Sequence, residues 1–308
     1  MAKKDFLSIY DLSAKEIKTL FNRAFELKKK KKILDVFKGK TLGIMMDKTS
    51  SAITASFAAA IVQLGGTPVH VDITETQLHS NSRFIHDTAA ALSCYLDGLA
   101  IGTLKHSDTS EFAKYSTVPV INGFSNVEDP CQILADIMTM MESYKITTTE
   151  ALKKIKIVYI GSGSNISNSL LAAASILGLD LTLIAPKGYP AGKEMLNKSL
   201  EYIPKSKAEI KITDDINAVE NAEVIYTNIW AAALECEDKK RNKLFMQYQV
   251  NSELLKKASS KCIVLHCLPV ITGEEITEDV MTKHENFIFA QSENRLYVQK
   301  ALLLQLLK

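Results

Sequence analysis

The sequence lacks a strong net charge and any long apolar run. Its 37 lysine and arginine residues nearly balance 35 aspartate and glutamate residues, which leaves a formal net charge of +2. This balance gives no sign of a nucleic-acid partner. No apolar run reaches the roughly 18 residues of a membrane-spanning helix, and the start, MAKKDFLSIYDLS, lacks the apolar core of a secretory signal. We therefore expect a cytoplasmic protein without a membrane partner.

Paired cysteines are also lacking. The cysteines are odd in number and form no C-x-x-C pair; they are Cys94, Cys131, Cys236, Cys262 and Cys267. This spacing argues against a disulfide framework and against a zinc site. We expect reduced thiols and no bound metal.

Short apolar runs alternate with helical patterns along all 308 residues, a length that suits two domains. Ten runs are candidate strands: 41–46, 67–72, 98–103, 118–123, 155–161, 180–186, 208–213, 222–228, 261–267 and 286–291. Ten patterns are candidate helices: 13–31, 51–65, 83–95, 107–115, 131–144, 165–177, 190–203, 215–220, 250–258 and 292–307. The alternation predicts an α/β fold with parallel sheets covered by helices.

The polar segment 144–154 is the natural break between two halves. We predict two doubly wound parallel-sheet domains, residues 1–145 and 150–288, with a last helix at 292–308 that packs back on the first domain.

A hydroxyl-rich turn follows the first predicted strand. Lys48, Thr49, Ser50 and Ser51 precede a long small-residue helix. The free N–H groups of such a helix start commonly bind phosphate. The alternative is that these hydroxyls only cap a core helix.

The segment VYIGSGSNISNS resembles a dinucleotide fingerprint but departs from it. Ile166 occupies the third glycine position, and the next strand ends without an acidic residue for a ribose. The pattern instead favours a loop that presents Asn165 and Asn168 to a polar small molecule.

Three further segments carry candidate site residues. VLHCLP places His266 and Cys267 at a strand end, where neighbouring side chains point to opposite faces and so do not form a nucleophile–base couple. This pair has either a structural role or a role in holding substrate. Gln132 lies in a helix first turn, where its amide can bind a neutral polar ligand. Arg295 lies in the first turn of the last predicted helix, a poor place for helix stability, which favours a functional or docking role.

In order along the chain, these segments resemble the aspartate/ornithine carbamoyltransferase family, especially its ornithine and putrescine branch. The resemblance is carried by KTSSAITASF, HDTAAALSCYLDG, DPCQILADIMTM, HCLPVITGEEITEDVM and ENRLYVQKALL. It implies two α/β domains joined by interdomain helices, and a homotrimer with active sites between subunits.

The resemblance also implies a chemistry without a metal or organic cofactor. An amine attacks the carbonyl carbon of carbamoyl phosphate, while arginines, a histidine and helix N–H groups stabilise the oxyanion and the departing phosphate. The matching positions imply catalytic roles for Gln132, His266, Cys267 and Arg295, and substrate contacts for residues of both halves: Lys48, Thr49, Ser50, Ser51, Asp129, Asn165, Asn228 and Leu268.

Several positions depart from the family pattern. The arginine of the phosphate loop falls on Ala52, a second phosphate-binding arginine falls on Gly102, and a histidine falls on Asp129. Asp129 adds repulsion toward a phosphate. Lys48, Arg83 and Lys105 are the candidate replacements for the lost positive charge; the sequence does not show that any of them acts as one.

The second-substrate tract also departs, because the family aspartate falls on Asn228 and its serine-methionine-glycine on 232–234. Three functions stay open. The chain transfers a carbamoyl-like group to a small amine other than ornithine; or it uses a different electrophile or a citrulline- or arginine-like ligand; or it is a non-catalytic relative that binds a small molecule or a partner.

We predict a trimer at micromolar concentration, because the family motifs span nearly the whole chain. Size-exclusion chromatography with light scattering measures the mass directly, and repeating it over a dilution series separates a stable assembly from a weak one. A single monomeric peak at micromolar concentration would contradict the prediction.

Overall fold

The computed structural model describes residues 3–30, 33–46, 51–72, 82–103, 105–230 and 243–307. The chain divides into two compact units: the first runs to Leu134 and resumes at Arg295, and the second spans Ala135–Asn294. The predicted break at 144–154 lies further along the chain, after the helix in which this first boundary falls. In the described ranges, no helix has both the length and the apolar character needed to cross a bilayer.

The first unit contains a four-stranded parallel sheet in the order β2-β1-β3-β4. Its elements, with the helix that begins in it, are α1 (Ala14–Lys30), β1 (Thr41–Met46), α2 (Ser51–Gln63), β2 (Thr67–His70), α3 (Ser82–Ser93), β3 (Gly98–Gly102), α4 (His106–Tyr115), β4 (Val120–Phe124) and α5 (Pro130–Ser143). Leu99 and Ile101 of the central strand β3 and Val120 of β4 are buried with Phe112 of α4. Burial on both faces explains why these strands are continuous apolar runs.

The second unit contains a five-stranded parallel sheet in the order β7-β6-β5-β8-β9. Its elements, with the helix that ends beyond it, are α6 (Thr149–Leu152), β5 (Lys156–Ile160), α7 (Asn165–Leu177), β6 (Asp180–Ile184), α8 (Lys193–Ser206), β7 (Glu209–Thr213), β8 (Val224–Thr227), α9 (Ser252–Leu255), β9 (Ile263–His266) and α10 (Glu278–Leu306). The predicted class of two parallel-sheet α/β domains is confirmed.

The strand registers define one edge of each sheet as the place for a ligand. In the first sheet Met46, Gly102 and Phe124 end three neighbouring strands side by side. In the second sheet Thr227 pairs with Ile160 on one side and with His266 on the other. Strand order reverses beside β1 and beside β5, and open α/β sheets bind ligands at such points, outside the carboxyl ends of the strands.

The predicted strand at 286–291 is wrong, because these residues lie within α10, a helix of 29 residues. Val280, His284, Ile288 and Gln291 are all buried and recur every three or four residues, which is the spacing of one helix face. Consequently Arg295 lies in the interior of a long helix, whereas the sequence predicted a position in the first turn.

Candidate functional site

Arg295 is the centre of a buried polar cluster in the first unit. Its Nη1 donates to both carboxylate oxygens of Asp129, at 3.2 Å each, and to Oε1 of Gln132 at 2.8 Å. Its Nη2 donates to the carbonyl oxygen of Gly123 at 2.7 Å. Asp129 is 3% exposed and Arg295 4%. The structure therefore brings together three residues that the sequence predicted: Asp129, Gln132 and Arg295.

Asp129 also caps α5. Its carbonyl accepts from the backbone N–H of Ile133 at 3.2 Å, and its Oδ1 accepts from that of Gln132 at 3.0 Å. An aspartate is favoured here because it satisfies the free N–H groups of the helix start. Burial raises the pKa of the Asp129 carboxyl, while Arg295 and the Gln132 N–H oppose that rise. The carboxylate thus occupies the anion-binding end of the helix itself.

Gly102, the second departure from the arginine pattern, lies under two apolar side chains. A Cβ atom built at Gly102 would lie 2.3 Å from Cε1 of Phe124 and 2.5 Å from Sδ of Met46. Both distances are shorter than any ordinary contact. The space next to this strand end is therefore filled by an aromatic ring and a thioether, and a larger residue at Gly102 requires them to move.

The hydroxyl-rich turn is described only in part. The predicted residues Lys48, Thr49 and Ser50 lie outside the described residues, whereas Ser51 begins α2 and is exposed. Of the candidate replacement charges, Arg83 forms an exposed ion pair with Asp87 at 2.8 Å.

Lys105, another candidate replacement, is exposed at the start of α4. Next to it lies His106, which no sequence motif singles out; its Nδ1 is 3.0 Å from Oγ of Ser125. Its position just after a predicted strand is the sequence feature that could have identified it as a candidate site residue.

His266 ends β9 in the second unit and is fully buried. Its Nδ1 donates to the carbonyl oxygen of Cys267 at 2.6 Å, and its Nε2 lies 2.9 Å from Oε1 of Glu275. The same Glu275 oxygen accepts from the backbone N–H of Ile271 at 2.8 Å. Both ring nitrogens are therefore engaged within the unit, and the imidazole ties the turn after β9 to Glu275.

Buried hydrogen bonds also anchor the backbone of His266. Its N–H donates to Oε1 of Gln291 at 2.9 Å, and Nε2 of Gln291 donates to Oδ1 of Asp136 at 2.8 Å. The hydroxyl of Tyr226 donates to Oδ2 of Asp136 at 2.7 Å. Burial, reinforced by the Asp136 carboxylate, raises the pKa of Tyr226 well above its usual value. The sequence does not point to Gln291 and Asp136, because they lie 155 residues apart along the chain. Glu275 lies only nine residues beyond His266, and that short spacing was the available signal for it.

The residues after His266 reach the surface of the second unit. Cys267 is half-buried and Leu268 is 41% exposed. At the neighbouring strand ends, Asn165 opens α7, and Asn168 accepts from the backbone N–H of Gly192 at 3.1 Å. Asn228 follows β8 and is half-buried. The predicted second-substrate residues thus follow neighbouring strands of one sheet.

The described residues place no three histidine, cysteine or acidic side chains close enough to hold a metal ion. Among the described residues, the second edge offers the amides of Asn165 and Asn228 and the thiol of Cys267, and the first offers Arg295, paired with Asp129. Such groups suit the binding of small polar molecules.

The fold defines a two-domain protein of the parallel α/β class, and comparison with known sequences identifies its family. Sequence models of the aspartate/ornithine carbamoyltransferase family match over both units: the carbamoyl-P binding domain at residues 4–142 and the Asp/Orn binding domain at residues 153–306. The chain belongs to the aspartate/ornithine carbamoyltransferase family, a family of transferases.

Individual relatives match nearly the full length. The ornithine carbamoyltransferase of Oceanobacillus iheyensis is 40% identical over 309 residues, covering 99% of this chain and 94% of the relative. That of Aquifex aeolicus is 38% identical, covering 98% and 97%. The solved structure of ornithine carbamoyltransferase from Pyrococcus furiosus superposes with a TM-score of 0.90 at 36% identity, covering 98% of this chain and 96% of that one.

Replacing Asp129 by alanine should destabilise the protein by about 3–5 kcal/mol, because it leaves the buried Arg295 charge without its carboxylate. The exposed pair of Asp87 with Arg83 is a matched control, and Asp87→Ala should cost about 1 kcal/mol or less. Urea unfolding of the two variants and the parent measures the difference. Equal losses in the two variants would show that the Asp129 pair does not stabilise the first unit.

Proposed function

We propose that this protein transfers a carbamoyl-like group to a small amine, and that its donor carries less negative charge than carbamoyl phosphate. The observation that carries this proposal is the buried pair of Asp129 with Arg295. The guanidinium at the first sheet edge is already neutralised by a carboxylate of the same unit, so it offers no net positive charge to a dianion.

The expected loss of affinity for a dianion follows from the charged hydrogen-bond donors that the family pattern has and this chain lacks. A hydrogen bond to a charged group contributes about 1.5–3 kcal/mol. Ala52, Gly102 and Asp129 stand where the family pattern has two arginines and a histidine. Losing three such donors weakens a dianion by several kcal/mol, on the order of a thousandfold or more in affinity. A neutral or singly charged donor loses far less.

The second unit supplies the amine site in this proposal. Cys267, Leu268, Asn165 and Asn228 surround the acceptor, while His266 acts as a positioning residue, because its ring is fully buried and bound to Glu275. The relatives' name, ornithine carbamoyltransferase, supports an acceptor of the ornithine type. Asn228 lacks the negative charge that would pair with an α-ammonium group, so we propose an amine of this type other than ornithine itself.

In the proposed reaction, the amine nitrogen forms a bond to the carbonyl carbon of the donor. The bond to the leaving group then breaks and the leaving group keeps the electron pair. The proton that the amine nitrogen loses passes to the leaving group or to water. Gln132 and Arg295 are the polar groups of the first unit that we assign to the donor carbonyl. Catalysis then depends on positioning the two reactants and on stabilising the oxyanion.

Carbamoyl phosphate should bind with a dissociation constant in the millimolar range or weaker. Asp129→Asn keeps the size of the side chain and removes its negative charge, so it should raise the affinity about tenfold or more. Asp87→Asn, at an exposed ion pair, should leave the affinity unchanged. Calorimetric titration tests all three proteins. Micromolar binding by the parent protein would overturn the proposal that its donor is less anionic.

An assay with carbamoyl phosphate and ornithine should yield no citrulline above background. A variant that combines Ala52→Arg, Gly102→Arg, Asp129→His and Asn228→Asp should gain some activity, provided that Phe124→Ala clears the space above Gly102. Colorimetric detection of the ureido product provides the measurement; this product is citrulline from ornithine and carbamoylputrescine from putrescine as a parallel acceptor. Robust citrulline formation by the parent protein would show that ornithine is its acceptor.

A further inference from the structure

The outer edge of β9 is covered by side chains of α10. In the described part of the chain, β9 pairs with a strand on one side only, the side of β8. Two of its backbone N–H groups meet α10 instead: that of Val264 donates to Nδ1 of His284 at 3.3 Å, and that of His266 donates to Oε1 of Gln291 at 2.9 Å. The two side chains lie two helical turns apart. They close a sheet edge whose polar groups would otherwise lack partners.

The bond to Val264 fixes the protonation state of His284. Nδ1 accepts from an N–H group, so it carries no proton, and the ring is neutral with its hydrogen on Nε2. The side chain is 5% exposed, and Nε2 has no hydrogen-bond partner among the described residues. A second proton, on Nδ1, would point at the N–H of Val264. Protonation of His284 therefore breaks this bond and leaves a charge buried.

The surroundings of His284 favour its neutral form. Burial lowers the pKa of His284, and the positive charge of Lys283 beside it on the helix lowers this pKa further. Two uncharged ionisable groups lie near the start of β9, the thiol of Cys262 and the phenol of Tyr144. Burial raises the pKa of Cys262 to about 12 and that of Tyr144 above its usual value, so neither supplies a negative charge near neutral pH.

The carboxylates of the neighbouring elements are bonded to other groups. They are Asp136, Glu223, Glu253 and, on α10 itself, the exposed Glu285. Asp136 accepts from Gln291 at 2.8 Å, Glu223 accepts from the backbone N–H of Lys156 at 3.1 Å, and Glu253 pairs with Lys256 at 2.6 Å. The charged neighbour that acts most directly on His284 is thus Lys283, which opposes its protonation.

We infer that His284 is a pH-sensitive clamp: its neutral ring holds the outer edge of β9, and its protonation releases the strand that leads into the turn with Cys267 and Leu268. The neighbouring bond from His266 to the amide of Gln291 does not titrate, so the pH dependence arises at Val264. This role concerns the conformation of the second unit and does not depend on which donor the protein uses.

The clamp should hold above about pH 6.5 and weaken as the pH falls. In the open strand His284 meets water, and its pKa returns toward the ordinary value of 6.5, above that of the closed form. The open form therefore binds more protons, and acid favours it. Below 6.5, and down to the pKa of the closed form, each pH unit should raise the opening equilibrium of β9 by up to about tenfold.

Hydrogen exchange of the full-length protein, followed by mass spectrometry on peptides that contain Ile263–His266, measures this opening. The rates are taken from about pH 5 to about pH 8 and corrected for intrinsic chemical exchange. His284→Asn keeps an acceptor oxygen for Val264 and cannot titrate, so it should keep the protection and lose its pH dependence. His284→Leu removes the acceptor and should expose β9 already at neutral pH.

His86→Asn is the matched control, because His86 is a partly exposed histidine of the first unit whose Nδ1 lies 2.8 Å from Asp87. This variant should keep the parent's pH profile at β9. A flat profile in the parent, or the parent's profile unchanged in His284→Asn, would overturn the inference. If both His284 variants fail to fold, NMR titration of the histidine rings in the parent decides, and a His284 pKa at or above 6.5 would contradict the clamp.

Discussion

The carboxylate of Asp129 lies between a helix start and a guanidinium, and it balances the buried positive charge at the first unit's ligand edge. Asp129 caps α5, pairs with Arg295 and lies in a place from which water is excluded. Buried charges are tolerated only when they are paired and hydrogen-bonded, so each of the two groups requires the other. The carbonyl of Gly123 and the amide oxygen of Gln132 also accept hydrogen bonds from the guanidinium. The pair therefore carries no net charge of its own.

In the second unit, buried polar groups hold the backbone at a strand end. Its interior bonds from Tyr226 through Asp136 and Gln291 to the backbone of His266 hold the end of β9 rigidly. Such fully connected networks rigidify a site without adding charge to its surface. These bonds therefore favour a single conformation of the turn that contains Cys267 and Leu268. The second unit thus holds its strand end through neutral contacts, whereas the first unit holds a buried ion pair beside apolar side chains.

The regular elements could be predicted because their signals are local. The strand 41–46 and the helix 165–177 coincide with β1 and α7, and the latter is bounded by the cap Ser164 and by Gly178 in a left-handed conformation. The strand predicted at 286–291 is wrong because the aromatic and β-branched residues of this segment resemble a strand. The spacing of a helix face becomes visible only in the structure, where the polar residues His284 and Gln291 prove to be buried. The Asp129 pair could not be foreseen either. The family resemblance implies that Asp129 stands in place of a histidine and predicts repulsion toward a phosphate, whereas the partner of the carboxylate lies 166 residues away.

The packing above Gly102 constrains how this protein can change over evolutionary time. A larger residue at Gly102 requires the side chains of Phe124 and Met46 to move, so it is accommodated more easily after one of these two has become smaller. A smaller residue at either position adds no contact at Gly102 by itself. Enlarging this strand end therefore depends on the order in which mutations arise, and substitutions are accepted more easily at the two surrounding side chains than at the glycine.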